Sequence, residues 1–186
     1  MADPRQVAVL ISGRGSNMRA LVEHATGFDV ALVASNKPDA EGLDWARQRG
    51  LATWAEPSQG VERAEFDRHL GDAIEAAGAG TVALAGYMRI LSPGFVQRFA
   101  GRIVNVHPSL LPKYKGLDTH ARAIAAGETM SGCTVHLVTE LLDDGEILGQ
   151  ADVPIVPGDT PKALAQRVLA AEHALYPQIL GKFVSR

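Results

Sequence analysis

The sequence predicts an α/β fold: a mainly parallel, doubly wound sheet with helices on both faces, built as one domain over residues 1–186. Three observations carry that prediction. Short, continuous apolar runs bounded by glycine read as strands buried on both faces. Stretches with apolar residues at helical spacing alternate with them. The first apolar run empties into a glycine-rich loop and then a helix, and ligands in such sheets collect at the carboxyl ends of the strands, where the strand order reverses.

In chain order, VAVLIS (7–12) is the first buried strand. Ser16 and Asn17 are candidate caps for a helix that carries Met18, Leu21, Val22 and Ala25 at helical spacing. DVALVAS (29–35) is the second strand, followed by a helix over 40–49 that Gly50 closes. LATW (51–54) is a short third strand, and 63–77 is a long amphipathic helix with Phe66, Leu70 and Ile74 on one face. TVALA (81–85), RIVNVH (102–107), GCTVHLV (132–138) and ILGQADVPI (147–155) supply four more strands. Asp159-Thr160-Pro161 opens a last helix, with a capping residue followed by proline at the first helical position, and that helix runs towards Pro177.

Composition narrows the function classes. A chain of 186 residues with 46% hydrophobic and 21% charged residues has the profile of a globular protein, not of a disordered or fibrous one. The 18 basic and 21 acidic residues give a net charge of −3, which argues against a protein that binds the phosphate backbone of nucleic acid. A single cysteine excludes an internal disulfide framework and fits a reducing compartment. No apolar run approaches the roughly 20 residues of a membrane span, so the expected setting is the cytoplasm, with no membrane partner.

Four segments carry candidate chemistry. SGRGSN (12–17) joins a strand to a helix, and Gly13 and Gly15 let backbone N–H groups turn towards an anion at the helix start. It reads either as a monophosphate cradle or as a tight turn; the third glycine of a dinucleotide fingerprint is missing. GYMRILSPGF (86–95) places Tyr87, Met88, Ile90 and Leu91 at a strand's carboxyl end, as core or as the wall of a flat apolar pocket with Arg89 at its mouth. In RIVNVHPSLLPKYKG (102–116), strand alternation sends Asn105 and His107 to the same side. An amide donor beside an imidazole suits oxyanion stabilisation and proton transfer, against the alternative of a structural histidine. Leu111-Pro112 is a candidate cis bond. LLDDGEI (141–147) offers two carboxylates before a glycine, either as ordinary turn chemistry or as an acid beside the histidine that favours its charged form. Cys133 reads as an inert buried thiol and His136 as packed. No spacing of His and Cys suggests a metal site.

Taken in order, SGRGSN, SNKPDAEGL, AGYMRILSP, NVHPSLLPKYKG, GCTVHLV, LLDDG and AEHALYP resemble the phosphoribosylglycinamide formyltransferases over essentially the whole chain. The resemblance implies a Rossmann-like formyltransferase fold. It also implies transfer of a formyl group from 10-formyltetrahydrofolate to glycinamide ribonucleotide in purine synthesis, by a monomer or homodimer. By the same resemblance, Asn105, His107 and Asp143 are the catalytic residues. Gly15, Ser16, Asn17 and Glu172 contact the nucleotide. Arg63, Met88, Arg89, Ile90, Leu91 and Asn105 contact the folate. The Asn-x-His-Pro segment is shared with formyltetrahydrofolate hydrolases and with formyltransferases acting on other amines, which form the alternative; the glycine loop favours a phosphoribosyl acceptor.

Two positions depart from the family's pattern. Leu169 stands where relatives often carry a polar or basic residue near the substrate phosphate, so phosphate binding is expected to fall on the backbone loop or on Lys113 or Arg167. Glu146 stands where relatives often have proline, beside Asp143.

Overall fold

The computed structural model describes residues 2–186. Its elements run β1(Asp3–Ile11), α1(Ser16–Glu23), β2(Asp29–Ser35), α2(Glu41–Gln48), β3(Thr53–Ala55), α3(Arg63–Ala76), β4(Ala79–Leu84), α4(Pro93–Arg98), β5(Ile103–His107), α5(Thr119–Ala125), β6(Met130–Leu137), β7(Ile147–Pro154) and α6(Pro161–Val184). Seven strands form one sheet in the order β3-β2-β1-β4-β5-β6-β7. Pairing is parallel from β3 through β5 and antiparallel from β5 to β7. The chain builds outward from β1 to β3 and then returns to place β4 on the other side of β1. The order therefore reverses between β1 and β4, and their carboxyl ends open the crevice expected to hold ligands.

Both faces are covered, which is why β1 is apolar at every position from Val7 to Ile11. Val7, Val9 and Ile11 pack with Met18 and Leu21 of α1, Leu43 of α2 and the long α6. Ala8 and Leu10 pack on the opposite face with Phe66, Leu70 and Ile74 of α3 and Phe95 and Phe99 of α4. Tyr176 is the largest fully buried side chain. Its hydroxyl donates between the carbonyls of Leu84 at 3.1 Å and Val104 at 2.9 Å, tying α6 to β4 and β5.

Three local expectations need correction. The first helix is not capped by Ser16 or Asn17: its N-cap is Gly15, in the left-handed region at φ 69°, and no side chain caps it. Two short helices, α4 and α5, occupy stretches to which the sequence assigned no helix. α4 carries the same start signal as α6, with Ser92 Oγ accepting from Phe95 N at 3.3 Å ahead of Pro93 at the helix start. The last helix does not stop near Pro177 but runs on to Val184. Pro177 leaves the His173 carbonyl without its usual donor, and burial of Tyr176, Leu180 and Val184 on either side holds the helix together. The expected start of α6 is present, with Thr160 Oγ1 accepting from Ala163 N at 3.2 Å. The Leu111–Pro112 bond is cis.

Candidate active site

The glycine loop is shaped from two sides. Gly13 O accepts from Gly42 N at 3.1 Å, turning that carbonyl towards α2. Glycine suits the positive φ there, and a Cβ on Gly15 would also press on the movable Met18 Cε at 2.9 Å. The first bond within the helix runs from Arg19 N to Gly15 O at 2.9 Å. The amides of Ser16, Asn17 and Met18 therefore precede the intrahelical ladder, with no side chain over them. An uncapped first turn of this kind presents N–H groups and the positive helix end to an anion. Beside it, Asn17 Nδ2 donates to Glu172 Oε2 at 2.7 Å. Burial pushes the Glu172 carboxyl up to about 7 against the opposing effect of that bond, and Asn17 Oδ1 is buried with no partner. The two side chains thus hold an acceptor and a titratable carboxyl at one point.

Ser12 joins this loop to the next. Its hydroxyl donates to Asn36 Oδ1 at 2.6 Å and accepts from Met88 N at 2.8 Å, while Ser12 N donates to Gly86 O at 3.2 Å. The carboxyl ends of β1, β2 and β4 are thereby held as one rim. Along that rim Met88 and Ile90 are exposed at 76% and 67%, high enough to mark an apolar patch rather than core. Arg89 does not face that patch. Its guanidinium donates to Ser58 O and Val61 O, each at 3.3 Å, and lies over the Phe66 ring, so it braces the loop from behind. Arg63 begins α3 two residues after Val61, with its side chain exposed.

The third cluster lies at the end of β5. Antiparallel pairing sets Asn105 opposite His136 and His107 opposite Thr134, all on one face of the sheet. His107 Nδ1 lies 3.4 Å from Asp143 Oδ2, and its Nε2 is 2.9 Å from the Tyr114 carbonyl. Both side chains are nearly sealed from solvent, at 7% and 10% exposure, so the pair acts in low dielectric. Asp143 adopts φ 47°, uncommon for a residue with a side chain, and its Oδ2 also accepts from Gly116 N at 2.9 Å. His136 Nδ1 is 2.8 Å from the Leu137 carbonyl, which can only accept, so Nδ1 carries the hydrogen. Burial lowers the His136 pKa and keeps the ring neutral, leaving the Nε2 lone pair to accept from Asn105 Nδ2 at 3.2 Å. That bond fixes which way the Asn105 amide faces and leaves its second N–H free.

The structure therefore brings together Asn105, His107 and Asp143, and separately Asn17 and Glu172 beside Gly15 and Ser16. It leaves Met88 and Ile90 on the rim with Leu91 half-buried behind them. Lys113 and Arg167 are already engaged, with Glu128 at 2.8 Å and with the Asp159 carboxylate. His136, read as merely packed, is packed and also orients Asn105. Its position opposite Asn105 follows from antiparallel pairing across 30 intervening residues, which no local pattern displays. A groove of about 870 Å³ along the far half of α6, lined by His24, His173 and Lys182 among others, contains none of the clustered residues. Among the described residues no group of three His, Cys, Asp or Glu side chains is arranged to hold a metal ion.

Known proteins share this arrangement of elements and the sequence that builds it. The chain is 44% identical over 182 residues to the phosphoribosylglycinamide formyltransferase of Escherichia coli, covering 95% of this chain and 86% of that one. It is 43% identical over 180 residues to the human trifunctional purine biosynthetic protein adenosine-3, of which it spans 18%. The crystal structure of phosphoribosylglycinamide formyltransferase from Brucella melitensis superposes with a TM-score of 0.91 at 45% identity, covering 98% of this chain and 96% of that one. The family model for formyl transferases matches residues 5–180, so the glycine loop, the β5 cluster, the 143 turn and Glu172 all fall within it, and the chain belongs to the formyl transferase family.

Proposed function

We propose that this chain transfers a formyl group from 10-formyltetrahydrofolate to the primary amine of glycinamide ribonucleotide, as a step of purine biosynthesis in the cytoplasm. The observation that carries the reading is the pairing of two sites on one rim. An uncapped helix start beside Asn17 and Glu172 suits a phosphoribosyl group, and an amide, an imidazole and a carboxylate converge at the end of β5.

In this reading the substrate phosphate takes the N–H groups of Gly15, Ser16 and Asn17. With Leu169 apolar and Lys113 and Arg167 engaged elsewhere, it leans on backbone rather than on a side-chain cation. Asn17 Oδ1 and the Glu172 carboxyl accept hydrogens from the ribose end. The folate lies against Met88, Ile90 and Leu91, with Arg63 near its glutamyl end.

The amine nitrogen attacks the formyl carbon, and a C–N bond forms while the carbonyl oxygen becomes an oxyanion. The free N–H of Asn105 donates to that oxygen, because the other is held by His136. Charged His107 donates as well, exchanging the Tyr114 carbonyl for the substrate oxygen, with Asp143 on its far nitrogen. Collapse breaks the bond to the folate nitrogen. The proton lost by the attacking amine reaches that nitrogen through His107 and water, which balances the step.

A steady-state assay of tetrahydrofolate release from 10-formyltetrahydrofolate, with and without glycinamide ribonucleotide, tests the reading. Turnover only with the nucleotide is expected. Turnover without it would identify a hydrolase, and turnover with neither mixture would overturn the enzymatic assignment.

A further inference from the structure

We infer that the Lys115–Asp144 ion pair is a clamp that holds Asp143 against His107, making both residues positioning residues for the formyl transfer proposed above. Asp143 sits in a turn between β6 and β7 whose backbone works against it: φ is 47°, a left-handed value that opposes an L-residue's preference. Leu141 and Leu142, just before it, are each 66% exposed, so the turn gains little from burial. It needs contacts from outside to keep one geometry.

Those contacts come from three consecutive residues of the opposite loop. The Tyr114 carbonyl faces His107 Nε2 at 2.9 Å. The Gly116 N–H donates to Asp143 Oδ2 at 2.9 Å. Between them, Lys115 Nζ pairs with Asp144 Oδ1. One tripeptide therefore touches the imidazole, the carboxylate and the residue after the carboxylate. Arg122 fixes the tripeptide itself, with Nη1 donating to Lys115 O at 2.7 Å and Leu117 O at 3.1 Å. Opening the ion pair would leave the Asp143 turn held by the Gly116 N–H, by the longer contacts of its carboxylate to His107 Nδ1 at 3.4 Å and His136 Nε2 at 3.8 Å and, further along, by the Gln97–Glu140 bond at 3.0 Å.

The clamp is partly exposed, with Lys115 at 35% and Asp144 at 46%, so its effect is graded rather than absolute. Lys115→Met and Asp144→Asn are each expected to lower kcat about threefold, with the KM for the nucleotide unchanged, because the nucleotide contacts lie on α1 and α6. Lys115→Arg, and the reversed pair Lys115→Asp with Asp144→Lys, are expected to recover most of the loss. Raising the salt concentration should lower kcat of the unmodified chain and leave Lys115→Met unaffected. A readout independent of activity is hydrogen exchange at the Gly116 amide, which should quicken about threefold in either single variant and slow again in the reversed pair. Unchanged Gly116 exchange in both single variants would overturn the clamp, as would a reversed pair no better than the singles. If Gly116 exchange responds as stated while the unmodified chain transfers no formyl group, the clamp stands and the functional reading falls.

Discussion

Asn105 has two amide hydrogens, and the neutral ring of His136 claims one of them. The catalytic use proposed for Asn105 therefore depends on a neighbour that orients its amide. His136→Ala is expected to lower kcat about five- to tenfold, the scale of one hydrogen bond, while the KM for the nucleotide holds. Unaltered kcat would show that the amide needs no such orientation. Removing the donors themselves is costlier: Asn105→Ala and His107→Ala should each cost about 100- to 1,000-fold in kcat without loss of cooperative thermal unfolding. Near-normal turnover in either folded variant would sink the roles assigned to them. At this scale the sequence was informative about single residues and silent about their partners. Asn105 and His107 share a face by strand alternation alone. That His136 lies opposite, and that Tyr114 and Gly116 receive the histidine and the aspartate, depends on pairing and loop paths that no short pattern encodes. Arg89 adds a contact that its segment does not display, since its guanidinium braces the backbone behind the rim.

Between residues and fold stand α1 and α6, which meet at Asn17 and Glu172. α1 is left uncapped because Gly15, in a left-handed conformation that glycine adopts at little cost, offers no side chain to its first turn, and the amides of Ser16 and Asn17 that it frees are among those assigned to phosphate. Gly15→Ala should therefore destabilise the chain by about 1–2 kcal/mol and raise the nucleotide KM, through both the positive φ and the contact with Met18. A variant that unfolds at the unmodified temperature and keeps its KM would contradict this account. On α6, Leu169 lies one turn before Glu172 and so faces the same side. Leu169→Lys should lower the nucleotide KM, since Lys113 and Arg167 are held by Glu128 and Asp159; an unchanged KM would count against phosphate binding at α1. The long elements were readable because each buries a regular apolar stripe. α4 and α5 were not, being six and seven residues long, too short to display a period. The Ser92-Pro93 pair was nonetheless the same start signal that located α6 correctly.

Across the whole molecule the proposed reading divides the labour, with α1 and α6 over the parallel strands assigned the nucleotide and β5, where pairing turns antiparallel, assigned the chemistry. Parallel order was legible from the alternation of strands and helices; the change of direction after β5 was not, because β6 is buried almost throughout, like a strand of a parallel sheet, and β7, exposed or half-buried at all but Val153 and carrying Gln150 and Asp152, marks only the edge of the sheet. The division places one titratable group, Glu172, where α6 closes over α1, and its burial couples global stability to pH. Burial pushes its carboxyl up to about 7 in the folded chain, against the ordinary 4.5 of an exposed carboxyl in the unfolded one. Below pH 4.5 both states are protonated and burial costs nothing. Between 4.5 and 7 the unfolded chain ionises first, so stability falls by about 1.4 kcal/mol per pH unit, roughly 3 kcal/mol in all, and levels off above 7. Glu172→Gln removes the titration. The unfolding temperature of this variant should therefore pull ahead of the unmodified chain across that window, by roughly 10 °C at pH 8 for a domain of this size. Parallel curves for the two proteins would refute the raised pKa. Nucleotide binding should act in the opposite direction on the same group: hydroxyl donors arriving at Glu172 favour its carboxylate, so binding near pH 7 releases a proton. Calorimetry in buffers of different ionisation enthalpy would register that proton in the unmodified chain and lose it in Glu172→Gln; equal proton release from both would place the ribose somewhere other than beside α6.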